Sequence, residues 1–357
     1  MTNPAGPNTR VAVIGPSFFS YVQAIAETFR ARGFAVSVFD EKHSNRPLAK
    51  LRYRRGLYSR QRGPLAAHLA AIREDLVRAQ TTDVFLINTE TPDRAFVESL
   101  NALGMRVHLY MWDGAANKPG FPDLLGFVAS FASFDPRDCE RFAMRYIPLF
   151  AESLFDEAGR EAEGQPPRYD ICLCGTVHSS RTGVVARLLQ AERAGRIRLG
   201  LLLYYHSRAL LYAKSVTDRA VWKIARHISF KGFPKSDIAA MLAASRAVLD
   251  VPHHGQTGLT ARTFEALATG TRLMTTHPRA LELLPDSFVD RIVAIDGVEQ
   301  ALATDFAALA PLPPLTDEQR YYLSLDRFVD ALAEMAGIGQ SGGDALSHQR
   351  HSATAIG

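Results

Sequence analysis

PPRYDICLCG, residues 166–175, ends one sequence pattern and starts it again. The two prolines close a polar stretch, residues 151–168, that carries Glu157, Gly159, Glu161, Glu163 and Gly164 and reads as a linker. YDICLC (169–174) then reads as a buried strand that stops at Gly175. Before the break, RVAVIG (10–15) predicts a strand, 21–32 an amphipathic helix stopped by Gly33, and 35–39 a second strand. Helices follow at 65–79 and 92–103. Strands follow at 83–88, 106–110, 128–134 and 145–147. After the break, strands are expected at 197–204, 227–230, 247–251, 272–275 and 291–295. Helices are expected at 184–194, 236–244, 261–268 and 298–309. Strands that alternate with helices imply right-handed crossovers and parallel sheets covered on both faces. The expected fold class is therefore α/β, with two Rossmann-like domains facing a cleft. The first occupies residues 1–150 and the second 169–315. Thr316 caps a last amphipathic helix, 316–336, and the Gly-, Ser- and His-rich tail, 337–357, reads as disordered.

A chain of 357 residues exceeds one ordinary domain, and 47% hydrophobic content lets each half bury a core. A net charge of +4 is too small to argue for nucleic acid. The charge is uneven. Arg46, Lys50, Arg52, Arg54, Arg55, Arg60 and Arg62 crowd one stretch with Tyr53 and Tyr58 between them. That stretch is either a solvated face or a site for phosphates, an anionic acceptor or an anionic membrane surface. Cys172 and Cys174 face one side of a strand and read as buried apolar residues of a reducing compartment. No apolar run approaches the ~20 residues of a membrane span, and residues 1–9 lack a signal-peptide core. The expected location is the cytoplasm, with at most a peripheral contact at the inner face of a membrane.

Ligands of open parallel sheets sit at the carboxyl ends of the strands, so the candidate site residues are those just after them. In QTGLTARTFE (256–265), Gly258 lets the backbone approach a ligand and Thr257 and Thr260 offer hydroxyls. Thr260 also caps a helix whose N-terminus suits a diphosphate. Arg262 in the first turn can fork onto phosphate oxygens, and Glu265, three residues on, suits ribose hydroxyls. The alternative is an ordinary capped helix with a surface Arg–Glu pair. Gln256 and Leu259 complete the loop. GTVHSSR (175–181) gives a second phosphate-loop candidate through Gly175, Thr176 and Arg181, with His178 a ligand, an acid or a loop residue. Phe230 and Gly232, in FKGF after a strand, are candidates to border the base. In the first half, Pro16, Ser17 and Phe18 follow the first strand, Glu90 the third, and Trp112 and Asp113 the fourth. Asp113 is either a general base toward an acceptor or a turn residue before Gly114; Glu90 is the second candidate base. No set of residues has convincing metal-ligand spacing.

The segment VLDVPHHGQTGLTARTFEALATGTRLMTT (248–276) resembles the donor-binding region of GT-B glycosyltransferases. The likeness is closest to the bacterial lipopolysaccharide, capsule and exopolysaccharide group, which is CgeB-like and related to group 1 enzymes. VAVIGPSFFSYVQAIAETFRARGFAVSVFDEKHSN (11–45), HLYMWDGAANK (108–118), SFDPRDCERF (133–142), YIPLF (146–150) and DICLCGTVHSSR (170–181) follow in the same order. The resemblance implies a nucleotide-sugar donor in the second domain and a glycan or lipid-linked acceptor in the first. It also implies a last helix that returns to the first domain, and no bound metal or other cofactor. Group 1 enzymes carry two glutamates eight positions apart. Glu265 matches the second, but the first falls at Thr257, which departs from their retaining mechanism. Arg181 corresponds loosely to a diphosphate-binding basic residue. The rival expectations are a nucleotide-sugar epimerase on the same plan and a non-catalytic binding protein of a glycan-assembly complex.

Overall fold

Each half of the chain builds a six-stranded sheet in which every pairing is parallel. The computed structural model describes residues 9–17, 20–44, 49, 63–177, 179–218, 220–252 and 257–339. The first sheet contains β1 (Arg10–Gly15), β2 (Ala35–Asp40), β3 (Asp83–Ile87), β4 (Arg106–Met111), β5 (Ser130–Ser133) and β6 (Arg145–Tyr146), in the order β2-β1-β3-β4-β5-β6. The second contains β7 (Tyr169–Thr176), β8 (Leu199–Tyr204), β9 (Ile228–Ser229), β10 (Ser245–Asp250), β11 (Arg272–Thr275) and β12 (Ile292–Ala294), in the order β12-β11-β10-β7-β8-β9. The expected pair of Rossmann-like domains is present.

The central strands are apolar without alternation because helices cover both faces. Val11–Gly15 and all of β3 are buried. On one face, Ala12, Ile14, Val84 and Leu86 meet the helices Pro64–Arg78 and Arg94–Asn101. On the other, Val11, Val13, Phe85 and Ile87 meet the helix Tyr21–Ala31 and the last helix, Leu325–Ala336. The final helix therefore lies on the first sheet, as the family resemblance implied. In the second half, Cys172 and Cys174 are buried with Val248 beneath the helices Lys235–Ala243 and Ala261–Ala268.

Two segments differ from expectation. The stretch read as a linker contains the helix Ser153–Ala162, which packs against the helices Lys235–Ala243 and Ala261–Ala268 of the second domain. Phe155 is its one fully buried anchor, and Gly159 lies so close to Thr269 that a Cβ would sit 2.7 Å from the Thr269 carbonyl oxygen. A single aromatic among Glu and Gly gives little periodicity to read. The expected last helix is two helices, Asp317–Leu323 and Leu325–Ala336, separated at Ser324. Thr316 and Gln319 form a capping box at the first, and the Ser324 hydroxyl accepts from Arg327 N at 3.1 Å to cap the second. The basic stretch 46–62 lies outside the described residues apart from Ala49, as does the tail beyond residue 339.

The break at Ser324 is where the chain crosses back to the first domain, beside Ala151 on the outward crossing. Arg327 holds both crossings. Its guanidinium donates to the carbonyls of Pro148 (3.0 Å), Leu149 and Tyr322 (3.0 Å). Burial holds its pKa below the ordinary arginine value. Replacing it by Leu strands three carbonyls, so Arg327→Leu is expected to cost roughly 2–5 kcal/mol in urea unfolding. Glu334→Ala removes only the exposed pair with Arg145 and is expected to cost about 0.5 kcal/mol or less. Equal costs for the two variants would refute the assignment.

Candidate functional site

A doubly wound sheet opens a crevice where its strand order reverses. In the first sheet this point lies between β1 and β3, and in the second between β7 and β10. Gly15 allows the first crevice. A Cβ there would meet Ile87 O at 2.7 Å and Val22 Cγ2 at 3.0 Å, so only glycine lets the helix Tyr21–Ala31 start across both strands. Pro16 and exposed Ser17 lead out of β1; Phe18 lies outside the described residues.

At the second crevice the helix Ala261–Ala268 starts from Thr260, whose Oγ1 accepts from Thr263 N at 3.3 Å. Asp250, the buried last residue of β10, fixes this turn. Its Oδ2 accepts from Thr260 Oγ1 at 3.0 Å and Thr263 Oγ1 at 3.3 Å, while Oδ1 has no hydrogen-bond partner. Arg262 and Glu265 are not the surface pair of the bland reading. Their side chains are 15% and 8% exposed, with Arg262 Nη1 and Glu265 Oε2 2.6 Å apart. The atoms are close as an ion pair yet not aligned as a hydrogen bond, and Arg262 Nε, Arg262 Nη1 and Glu265 Oε2 all lack hydrogen-bond partners. Burial pushes Glu265 up, against the lowering charges of Arg262 and Lys235. Burial works against the Arg262 charge, but Cys174, Glu265, Tyr21 and Asp250 outweigh it.

Arg181 is placed differently from the diphosphate ligand expected. Its Nε and Nη2 donate to Val251 O at 3.1 and 2.9 Å, and its Nη1 to Thr176 O at 3.3 Å. The guanidinium lies over Gly175, where a Cβ would stand 2.5 Å from Nη1, and Gly175 adopts φ +142°. Arg181 thus ties the ends of β7 and β10 together. Phe230 follows β9 at the sheet edge, with Arg208 5.2 Å above its ring, and Gly232 is exposed in the loop beyond. That edge is three strands from β10, ~14 Å by strand spacing. His178 and Gln256 lie outside the described residues.

The two domains meet at this loop. A Cβ on Gly258 would stand 2.6 Å from Phe134 O, so glycine is required for the contact. Thr257 Oγ1 donates to Asp135 Oδ1, which also accepts from Arg137 N at 2.9 Å as the cap of the helix Pro136–Phe142. Tyr21 Oη donates a long hydrogen bond, 3.4 Å, to Glu265 Oε1. Its ring packs edge-on against Trp112 (6.0 Å) and Phe150 (5.6 Å). Lys235 Nζ lies 4.1 Å from the same ring and pairs with Glu152. Trp112 is therefore partly exposed flooring of the cleft.

Asp113 and Glu90 lie in the loops after the adjacent strands β4 and β3 but in unlike surroundings. Asp113 Oδ2 accepts from Asn88 Nδ2 at 2.9 Å, and Asn88 takes a left-handed φ of +49° to present that amide. Glu90 is paired with Lys42 at 2.6 Å and Lys118 at 3.5 Å. Burial pushes Glu90 up, but the hydrogen bond from Lys42 and the charge of Lys118 outweigh it, so its carboxyl lies below the usual range. Fully buried Glu41 shapes this loop, its Oε2 accepting from Thr89 Oγ1 at 3.0 Å, Glu90 N at 2.6 Å and Thr91 N at 2.9 Å.

Sequence reasoning missed Asp250, Asp135, Tyr21, Lys235 and His277. Asp135 had a readable signal, since Asp before Pro is a helix-cap pattern. His277, after β11, is buried, and its Nδ1 accepts from Arg279 N at 3.2 Å. Burial lowers its pKa, against the charge of Asp250, a hydrogen bond to the Thr257 backbone and the charge of Asp135. Among the described residues no group of three or more His, Cys, Asp or Glu side chains is placed to share a metal ion.

No protein-family model matches the sequence. No curated protein matches it either. Solved structures match over nearly the whole chain at low identity. Anabaena Alr3699/HepE in complex with UDP and glucose superposes with TM-score 0.56 at 12% identity, covering 92% of this chain and 99% of that one. The UDP-GlcNAc 2-epimerase from Neisseria meningitidis bound to UDP-GlcNAc gives 0.55 at 9%, covering 92% and 99%. The catalytic domain of starch synthase IV from Arabidopsis thaliana, bound to ADP and acarbose, gives 0.54 at 10%, covering 91% and 95%. At such identities the likeness is one of fold, and the fold is GT-B, a plan shared here by glycosyltransferases and epimerases.

Proposed function

We propose that this protein is a metal-independent glycosyltransferase that moves a sugar from a nucleotide-sugar donor to a hydroxyl of a glycan or lipid-linked acceptor. Its place is in the cytoplasm, in the CgeB-like group that serves bacterial lipopolysaccharide, capsule and related polysaccharide synthesis. One observation carries the reading. Arg262 and Glu265 are buried as an ion pair at the mouth of a capped helix, at the crevice of the second sheet, and Arg262 Nε, Arg262 Nη1 and Glu265 Oε2 make no hydrogen bond. Such atoms are costly unless a ligand completes them, and a nucleoside diphosphate offers both kinds of partner. Its phosphate oxygens suit Arg262 and the helix N-terminus, and its ribose hydroxyls suit Glu265. Arg181 then keeps the flanking loops in place and does not touch phosphate.

In the transfer, the acceptor oxygen bonds to the anomeric carbon and the bond from that carbon to the diphosphate oxygen breaks. The electron pair leaves with the diphosphate, where Arg262 and the helix N-terminus meet the developing charge. In an inverting reaction the acceptor proton passes to Asp113, whose carboxylate is held by one amide. Glu90, held ionised by two lysines, is the weaker proton acceptor.

The donor assignment predicts that titration calorimetry with UDP, GDP, dTDP, ADP and CMP finds a ligand. Arg262→Met, with its fold checked by circular dichroism, should weaken that ligand at least about tenfold. Binding that is absent throughout, or unchanged in the variant, would sink the assignment. Asp113→Asn should lower kcat by roughly 10²- to 10⁴-fold while leaving nucleotide affinity intact, whereas Glu90→Gln should stay within about tenfold of the parent. The reverse pattern would make Glu90 the base.

An epimerase is the second reading, favoured by His277. A buried imidazole beside the Asp250 and Asp135 charges and the Thr257 backbone is placed as a proton-transfer group. Incubation with a nucleotide-sugar and no acceptor separates the two. A transferase gives at most slow hydrolysis, and an epimerase gives a second nucleotide-sugar.

A further inference from the structure

Among the described residues nine large apolar side chains are exposed, and four of them fall between positions 210 and 222. They are Leu210 (52%), Tyr212 (67%), Val216 (74%) and Trp222 (61%). Of the remaining five, Val77 and Leu103 line one shallow cavity of the first domain, and Leu281, Val289 and Tyr321 belong to three different helices. These four sit on the consecutive helices Arg208–Thr217 and Ala220–Ile224. Leu211, Val221 and Ile224 turn the opposite faces of these helices into the core of the second domain. Tyr212 and Val216 lie one turn apart, and Trp222 meets Tyr212 edge-on at 6.4 Å, so three of the four form one cluster.

Along this segment the charge is almost all of one sign, although the packed helix Ser179–Arg193 brings Glu192 near His227. Residues 205–231 contain Arg208, Lys214, Arg219, Lys223, Arg226 and Lys231 against a single acid, Asp218. That acid is turned inward: Asp218 Oδ2 accepts from Thr182 Oγ1 at 2.9 Å and Oδ1 from Ala220 N at 3.0 Å. Arg208, Lys223 and Arg226 are exposed. Trp and Tyr with aliphatic neighbours, flanked by these three cations, match the region between headgroups and acyl chains of an anionic bilayer. No helix among the described residues is long and apolar enough to cross a membrane, so the contact is one of lying on the surface.

We infer that the helices Arg208–Thr217 and Ala220–Ile224 form a docking surface for an anionic lipid bilayer. Tyr212, Val216 and Trp222 enter the interface, and Lys223 and Arg226 meet the headgroups. The position is functional. The first of these helices follows β8 at the carboxyl edge of the second sheet, the same edge as the cleft, and the Asp218–Thr182 bond ties it to the helix that carries Arg181. A bilayer held there lies beside the cleft mouth, where a lipid-linked acceptor arrives in the plane of the membrane.

Vesicle flotation tests this without reference to activity. The full chain is mixed with phosphatidylcholine vesicles, with and without phosphatidylglycerol. It should float only with the anionic lipid, and less as salt is raised. The double variant Val216→Ser/Trp222→Ser should lower the partition coefficient by roughly tenfold or more, and Lys223→Glu/Arg226→Glu similarly. All four side chains belong to the surface, and circular dichroism checks the fold. Failure to float on phosphatidylglycerol vesicles would overturn the proposal, as would flotation unchanged in both variants. Self-association that the Val216/Trp222 variant abolishes would overturn it too, by giving the surface to a second copy. The donor-site reading stands or falls separately, on nucleotide binding.

Discussion

The cleft depends on how two sheets, each complete on its own, are held at one angle to each other. Arg327 ties the two passages between them together. Its buried guanidinium binds the carbonyls of both passages between the domains. A planar donor fork can serve three carbonyls at once, which lysine cannot do with equal geometry. The helix beginning one residue after Ser324 then covers the first sheet through Phe328, Val329 and Leu332, so the chain ends on the domain where it began. With that closure the carboxyl ends of both sheets face one space, and each crevice supplies one wall of the site.

Inside that space the polar groups fall into two kinds. Arg181 has its guanidinium spent on backbone carbonyls, and Glu41 Oε2 and Asn88 Nδ2 fix loops, although Glu41 Oε1 and Asn88 Oδ1 make no hydrogen bond. At the second crevice Arg262 and Glu265 meet as a buried ion pair, with Arg262 Nε and Asp250 Oδ1 making no hydrogen bond. An interior rarely leaves such atoms alone, and the proposed donor site would complete the group at the second crevice. Thr257 adds a detail to the family comparison. The position lacks the carboxylate of group 1 enzymes, yet its hydroxyl touches Asp135 from the opposite domain. A carboxylate is present at the spot, carried by a different element.

Much of the fold is readable in the sequence because both faces of each sheet are covered, which leaves apolar runs at 11–14 in β1, 84–87 in β3 and 247–249 in β10. Punctuation by Gly33 and Gly175 marks their neighbours. The helix Ser153–Ala162 is hidden because one Phe anchors it and its other contact is a glycine. The helix Ala261–Ala268 is legible from Thr260, Arg262 and Glu265, which lie within six residues. Its environment is not. Asp250 joins it from ten residues away, Tyr21 from 244 and, through Thr257, Asp135 from 122. No local pattern encodes such pairings. The same limit explains Arg181, whose partner carbonyl at Val251 is 70 residues distant. Local chemistry names it a cation near a phosphate loop, and tertiary geometry turns it inward.

The central claim is that the second-sheet crevice holds a nucleoside diphosphate. A crystal structure with the tightest-binding nucleotide diphosphate tests it most directly. The account predicts ribose hydroxyls in hydrogen-bond contact with Glu265, and phosphate oxygens at Arg262 and the first turn of the helix Ala261–Ala268. A nucleotide seated elsewhere, or one seated here that leaves Glu265 and Arg262 without contact, would contradict it.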